Sequence, residues 1–404
     1  MREKVTIGID VGSSEVVAII GHRGEDELHP NIIGVGVQEN SGLRKGVVTD
    51  VEETVAAITA ALDKAERMAG VPIENAYVSV NGEHIQSSNT RGLISVAHHE
   101  ISSDDILRVI ESAQTVALPA NREIIHVVPR TFIVDGQDGI KDPIGMAGTR
   151  LEVDAHVITG ATPFIKNLQK TVEQAGVSIA NFVMAPLAAS KAVLSKKQKE
   201  LGVVVIDIGA GTTGLVVFDE GDICHSAVLP IGSSHLTSDI AIGLRTSLDV
   251  AEKVKVEYGM ASSVMLSDKD TVDLSRFDKS EDQVISRRYI AEIIEARLME
   301  IFMMIKAELR KAGKDGMLPA GAVLVGGGAK LPGIVDFAKD HLGLSAQIGF
   351  PIELRGVVDR LDDPRFVTAI GLVLWGMDET SNLSGFTREP SFSGVMARLR
   401  SWFK

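Results

Sequence analysis

Two short stretches set a carboxylate, glycines and small hydroxyls in the same order: Asp10-Val11-Gly12-Ser13-Ser14 and Asp207-Ile208-Gly209-Ala210-Gly211-Thr212-Thr213. Each sits between apolar runs, VTIGID and EVVAII in the first case, VVVIDI and TGLVVF in the second. Glycine permits close backbone approach and positive φ, so successive amide N–H groups in such a turn can converge on phosphate oxygens. The hydroxyls of Ser13, Ser14, Thr212 and Thr213 add donors without bulk. An aspartate at the strand end before each turn suits Mg²⁺, held directly or through its waters. The chemistry implied is the grip of a polyphosphate and its metal. The plainer alternative is a pair of tight β-hairpins with no ligand, and one glycine turn alone does not separate the two.

Two further groups fit the same chemistry. In AVLVGGGAKLPGI (322–334), Gly326, Gly327 and Gly328 follow a strand, so a flat ring or a ribose can lie against bare backbone ahead of a helix beginning near Pro332. Glu252 and Lys255 stand one helical turn apart in SLDVAEKVKVEYG. Taken singly, that pair reads as a solvated helix face and the glycines as a flexible loop.

The elements that must position these groups alternate between strand and helix, which implies an α/β build. Val51, Val55, Ile58, Leu62 and Ala65 fall on one helical face, with Thr49 and Glu52 as a capping box and Gly70 as the stop. A second helix begins at Thr162-Pro163, carries Phe164, Leu168, Val172 and Ala175, and ends at Gly176. A long helix spans about 283 to 312. The likeness of the two Asp–Gly hairpins suggests one unit present twice, in two related domains. The segment DETSNLSGFTREP (378–390) has no apolar period and reads as a linker.

Bulk properties narrow the function. The chain has 404 residues and a net charge of −13, so no extended basic face is available for a nucleic-acid backbone. Its only cysteine, Cys224, allows no intrachain disulfide and reads as a small buried hydrophobe. The N-terminus runs into a strand rather than a leader peptide, and no apolar run approaches a membrane span. His98 and His99 lack clustered partners at metal-ligand spacing and read as loop residues.

Five segments then follow one another in a telling order: DVGSS, APLAASKAVL (185–194), DIGAGTT, LVGGGAKLPG and VTAIGLVLWG (367–376). This order resembles the ATPase fold shared by actin, heat-shock chaperones and sugar kinases. There, two phosphate hairpins and an adenosine motif alternate with two small-residue connecting helices. The region 84–163 reads as a small α+β insert, and its DGQDGIKDPIGMAGTRLE, together with GLRKGVVTD (42–50), closely resembles the FtsA family of actin-like cell-division proteins. The type IV pilus protein PilM shares fold and insert and is the near rival. A sugar-kinase phosphotransferase would need a catalytic Asp and a sugar pocket, for which no motif stands out. A chaperone would need a substrate domain after the ATPase core.

The FtsA resemblance implies an actin-like two-domain fold. Subdomain 1A would comprise 1–83, 164–197 and 360–377, with the insert, 1C, at 84–163. Subdomain 2A would comprise 198–226 and 304–359, with 2B at 227–303. The resemblance implies ATP and Mg²⁺ between the domains. Asp10 and Asp207 would serve the metal. Gly12, Ser13, Ser14, Gly209, Gly211, Thr212 and Thr213 would serve the phosphates, and Glu252, Lys255, Gly326, Gly327 and Gly328 the nucleoside. It further implies self-assembly into a filament, binding of the tubulin-like FtsZ through 227–303, and recruitment of later division proteins at the septum, on the cytoplasmic side of the inner membrane. One departure stands out. Where related filament proteins place a carboxylate or amide to orient the attacking water, this chain has Met184-Ala185-Pro186, so slow or negligible hydrolysis is expected.

The last fourteen residues, SFSGVMARLRSWFK, are basic and aromatic in an acidic chain. At ~100° per residue, Phe392, Val395, Met396, Leu399, Trp402 and Phe403 fall within an arc of about 120°. Arg398 and Arg400 flank the arc, and Lys404 lies behind it. This is the pattern of an amphipathic helix at an anionic bilayer surface. Docking on the chain's own core is the alternative.

Overall fold

The computed structural model describes residues 5–24, 29–116, 120–352, 354–356 and 361–383. Two sheets, each extended by helices, face one another, and a third small sheet is inserted in the first half. The first sheet has the order β11-β6-β1-β2-β3-β19. Its strands are β1 (Val5–Val11), β2 (Glu15–His22), β3 (Asn31–Glu39), β6 (Asn75–Val80), β11 (Ser178–Met184) and β19 (Arg355–Gly356). The second has the order β14-β13-β12-β17-β18. It comprises β12 (Val203–Ile208), β13 (Thr213–Asp219), β14 (Asp222–Leu229), β17 (Ala322–Val325) and β18 (Ala346–Ile348).

The two sheets share a connectivity. In the first, β1 pairs antiparallel with β2, β2 with β3, and β1 is parallel to β6, which is parallel to β11. In the second, β12, β13, β14, β17 and β18 repeat these relations in the same order. The duplication read from two hairpins therefore extends to five strands per half. Asp10 and Asp207 occupy matching places on the central strands β1 and β12.

The strands are apolar because both faces are covered. Every residue of β12 is buried, and Ile9, Ile19, Ile20 and Ile32 are fully enclosed in the first sheet. Helix α1 (Val51–Ala69) lies along β3, where Gly36 brings the strand against the Ala61 carbonyl. Its N-cap is Asp50, whose side chain accepts from the Glu53 amide, and not the Thr49/Glu52 box expected from the sequence. Thr49 is spent elsewhere: its amide and hydroxyl both donate to the Gly42 carbonyl, closing the loop that holds β4 (Leu43–Arg44) and β5 (Val47–Val48). Gly70 stops α1 in the left-handed region, as expected.

The insert is a four-stranded sheet, β7-β10-β8-β9, with one helix, α2 (Ser103–Val116). The strands are β7 (Gln86–Ser95), β8 (Arg122–Val134), β9 (Gln137–Ile140) and β10 (Arg150–Ala161). Strand β10 runs directly into α3 (Thr162–Gln174), where Ile165, Leu168 and Val172 are buried. Phe164, placed on that stripe by the sequence, is instead half exposed and stacks on the His84 ring at 5.1 Å.

Helices α4 (Ala185–Val193) and α10 (Val367–Leu383) cross between the halves, and a β-carbon added at Gly371 would overlap the Ala188 carbonyl. Only small residues allow that approach. Helix α10 runs to Leu383, which corrects the reading of 378–383 as linker. Tertiary contacts extend it: Tyr77 and Asn181 donate to Glu379, and Lys191 pairs with Asp378, while Trp375 one turn back in the helix also donates to Glu379. Residues 384–390 and the amphipathic stretch 391–404 lie outside the described residues. Strand β19 likewise joins the first sheet through β3, so Arg355 and Gly356 go with the first half and not with 2A.

The second half is completed by α5 (Lys196–Leu201), α6 (Ser233–Leu244), α7 (Leu248–Tyr258), the ribbon β15 (Thr271–Asp273) and β16 (Val284–Ser286), α8 (Arg287–Lys311) and α9 (Ile334–Leu342). No helix among the described residues is long and apolar enough to cross a membrane.

Candidate functional site

The two glycine turns are closed by the same hydrogen bond. The Gly12 amide donates to the Glu15 carbonyl at 3.0 Å, and the Gly209 amide to the Thr212 carbonyl at 2.9 Å. Within each turn the amides of the next residues, Ser13 and Ser14 in one and Ala210 and Gly211 in the other, donate to no protein group among the described residues. The turns meet across the cleft between the halves. A β-carbon added at Gly211 would lie 2.8 Å from Ser13 Oγ, and Asn81 Nδ2 on the first half donates to Thr212 Oγ1 on the second at 3.1 Å.

Behind the turns stand the two carboxylates. Ser79 Oγ donates to Asp10 Oδ1 at 2.6 Å and accepts from the Val11 amide at 3.1 Å. Thr368 Oγ1, at the start of α10, lies 3.4 Å from Asp207 Oδ2. Burial pushes Asp10 up to about 6 despite the serine bond. Burial and the nearby Asp10 charge push Asp207 up to about 7. Two neighbouring carboxylates, one buried and one partly so, that resist ionising together are a setting for a cation. Among the described residues no group of three or more His, Cys, Asp or Glu side chains comes together, so further metal ligands would have to be phosphate oxygens and waters. Mg²⁺ is commonly bound in that way, through one or two carboxylates plus phosphates. The open amides, the paired carboxylates and the bare glycine backbone fit a nucleoside polyphosphate with a divalent cation.

The glycine triplet divides into two roles. Gly326 has φ +82°, and β-carbons at Gly326 and Gly328 would press on Asp207 and Ile208. These two glycines let the loop pack on β12. Gly327 would meet nothing within 4 Å, so it is the one that presents open backbone.

Other expected residues fall less directly. Thr213 is fully buried in β13 and its hydroxyl donates to the Ile231 carbonyl, so its proton is not available to a phosphate. Thr212 keeps its place at the cleft. Glu252 and Lys255 pair at 2.7 Å, and Lys255 Nζ also bonds Thr237 Oγ1 at 2.9 Å and the Ser233 carbonyl at 3.4 Å. Ser233 and Ser234 begin α6 and donate to the Gly209 and Ala210 carbonyls, so the pair is tied to the second turn through α6. His98 and His99 are exposed, as expected. Cys224 is partly and not fully buried, with its thiol pushed up by burial, and so has little thiolate character.

Several supporting residues were not singled out from the sequence. Asn40 is buried, bonds the Gly12 carbonyl at 2.8 Å and receives the Gly42 amide at 3.1 Å, so it fixes the first turn from behind. From the end of β6, Ser79 braces Asp10 and the Val11 amide, and Asn81 reaches Thr212 in the second turn. At the start of α4, Met184, Ala185 and Pro186 are all buried, with the Met184 amide donating to His126 Nε2 at 3.1 Å. No acid or amide from that segment enters the cleft.

The chain has clear likenesses among known proteins. A family model described as cell division protein FtsA matches residues 204–371, and one described as an SHS2 domain inserted in FtsA matches 82–159. The cell division protein FtsA of Pseudomonas aeruginosa is 36% identical over 406 residues, covering 99% of this chain and 97% of its own. Among solved structures, a PilM–PilN type IV pilus biogenesis complex superposes with a TM-score of 0.66 at 17% identity, covering 92% of this chain and 98% of that one. MreB5 of Spiroplasma citri bound to ADP gives 0.56 at 15%, covering 95% and 99%. The two structural likenesses are likenesses of fold.

Proposed function

The chain belongs to the FtsA family of cell-division proteins, with an actin-like fold, and from that membership we propose that it binds ATP with Mg²⁺ and assembles on the cytoplasmic membrane. The turns 12–14 and 209–212 hold the phosphates, Asp10 and Asp207 face the metal, and Gly327 lies beneath the nucleoside. Bound ATP supplies a polyanion that both turns can grip at once, which favours the closed cleft. The observation that carries this reading is the matched pair of turns, each with the same closing hydrogen bond and each backed by a strand-end aspartate, Asp207 buried and Asp10 partly buried. That the structurally similar MreB5 was solved with ADP is in keeping with it.

Hydrolysis is slow, because the segment 184–186 offers no group to orient water. Turnover below about 1 s⁻¹ is expected, the low end of ordinary enzymes.

The protein polymerises as an actin-like filament, binds FtsZ through 227–303, and recruits later divisome proteins at the septum. Its tail, 391–404, docks it to anionic lipid at the inner face of the membrane. One short helix holds a bilayer only marginally. Linking many tails through a filament strengthens attachment roughly 10²-fold or more, so assembly and membrane binding reinforce each other. The PilM-like reading is weaker: the likeness to PilM is of fold at 17% identity, against 36% to FtsA over nearly the whole chain.

Sedimentation with anionic liposomes tests this, comparing the full chain with one ending at Pro390, with and without ATP. Loss of pelleting in the shortened form and ATP-dependent filaments on vesicles are expected. Equal pelleting of both forms overturns the tail's role, and the absence of any ATP effect overturns the cleft's.

A further inference from the structure

The hairpin β4–β5 turns on Lys45 and Gly46, with Leu43 opposite Val48 and Arg44 opposite Val47. Both turn residues are left-handed, Lys45 at φ +51° and Gly46 at φ +76°. That is the two-residue hairpin turn that ordinarily takes asparagine, aspartate or glycine, and a lysine in its first place works against local preference. Residues held in sparsely populated backbone regions gather where surrounding structure and function require them.

The tip lies where the two phosphate turns meet. The Gly46 amide donates to Ser13 Oγ at 3.2 Å. A β-carbon added at Gly211 would lie 3.0 Å from Lys45 N and 3.1 Å from Lys45 Cα. One added at Gly46 would lie 2.8 Å from Gly82 Cα, beside Asn81, which reaches Thr212. The hairpin belongs to the first half, and its tip touches the second. Arg44 and Lys45 are both exposed, and neither makes an ion pair among the described residues. Lys45, an unpaired cation among the described residues, thus stands with its backbone at the mouth of a cleft floored by two aspartates.

We propose that Lys45 is a further nucleotide-binding residue, which contacts the terminal phosphate of ATP and sets the preference for a triphosphate over a diphosphate. The inference rests on the ATP reading given above. A lysine is a compact charge on a flexible four-carbon stem, able to reach a phosphate oxygen from a backbone fixed at the cleft edge. Because its backbone abuts Gly211, the same residue links occupancy of the terminal phosphate position to contact between the halves.

Titration calorimetry of the full chain with Mg²⁺-ATP and Mg²⁺-ADP tests this on two variants. Lys45→Asn suits the left-handed turn and removes the charge, whereas Lys45→Arg keeps the charge. The Asn variant is expected to lose about tenfold or more in ATP affinity, as for a charge-assisted hydrogen bond, with ADP affinity within about twofold of the unaltered chain. The Arg variant is expected to keep its preference, and unliganded melting to be no lower in the Asn variant. An unchanged ATP-to-ADP ratio in Lys45→Asn, or an equal loss of both ligands, overturns the assignment while leaving the ATP reading intact. An unaltered chain that binds neither nucleotide overturns both.

Discussion

Replacing Asp207 with asparagine is expected to make the unliganded protein more stable at alkaline pH while abolishing its gain from Mg²⁺-ATP. Asp207 ionises in the folded protein only near pH 7, against 3.8 for an ordinary aspartate, because it is enclosed and faces Asp10. A raised carboxyl pKa means that the folded state holds its proton more tightly than the unfolded state. Stability from that proton is complete below pH 3.8 and is lost as pH rises through about 7. At about 1.36 kcal/mol per pKa unit, the ionised form costs roughly 4 kcal/mol above pH 8. Asparagine keeps the shape and an acceptor for Thr368 without the charge. Asp207→Asn should therefore exceed the unaltered chain by roughly 2–4 kcal/mol at pH 8 and match it near pH 4. Urea unfolding across that range measures the difference. Added Mg²⁺-ATP should stabilise the unaltered chain, as any ligand of the native state does, and leave the variant unmoved. Parallel pH profiles for the two proteins would refute the coupled, enclosed pair.

Other outcomes follow from single contacts. Gly327→Ala, with open space around the new methyl, should leave stability within about 0.5 kcal/mol yet weaken nucleotide binding by calorimetry. Gly371→Leu places a branched side chain where even a β-carbon would overlap the Ala188 carbonyl, and should destabilise by about 3 kcal/mol or more in chemical unfolding. His156 lies between the insert and the second half, bonded to Asn89 Oδ1 at 2.7 Å and Ser226 Oγ at 2.8 Å. His156→Ala strands both partners and should cost about 1–3 kcal/mol, seen as faster proteolysis between insert and body. Steady-state phosphate release should stay below about 1 s⁻¹ with filaments present, and faster release would require a water-orienting group from outside 184–186.

The fold and both turns could be read from the sequence because each motif is local. A strand, an aspartate and a glycine turn are neighbours in the chain, and their repetition is visible without knowing what they touch. Local signals mislead where a distant residue decides the local outcome. Thr49 has the sequence context of a cap for α1, but the Gly42 carbonyl claims it, and Asp50 takes its place. Residues 378–383 have no apolar period, yet Tyr77 and Asn181 reach Glu379 from far along the chain and hold the segment in α10. Thr213 shares its motif with Thr212, but alternation along β13 turns its hydroxyl toward Ile231.

The residues bracing the site are silent in the sequence for the same physical reason. Asn40, Ser79 and Asn81 carry no motif, because each fixes a turn to which it is not adjacent in sequence: Ser79 holds Asp10 from 69 residues away, and Asn81 holds Thr212 from 131. A turn that is to grip a phosphate must present its amides outward, so its own residues cannot supply the bonds that hold it still. Those bonds have to come from neighbouring strand ends, which in a duplicated sheet are the ends of β3 and β6. The Lys45 hairpin lies on the same rim, just after β3. Its strained tip is therefore placed where the fold must gather support, and only its free charge goes beyond what support requires.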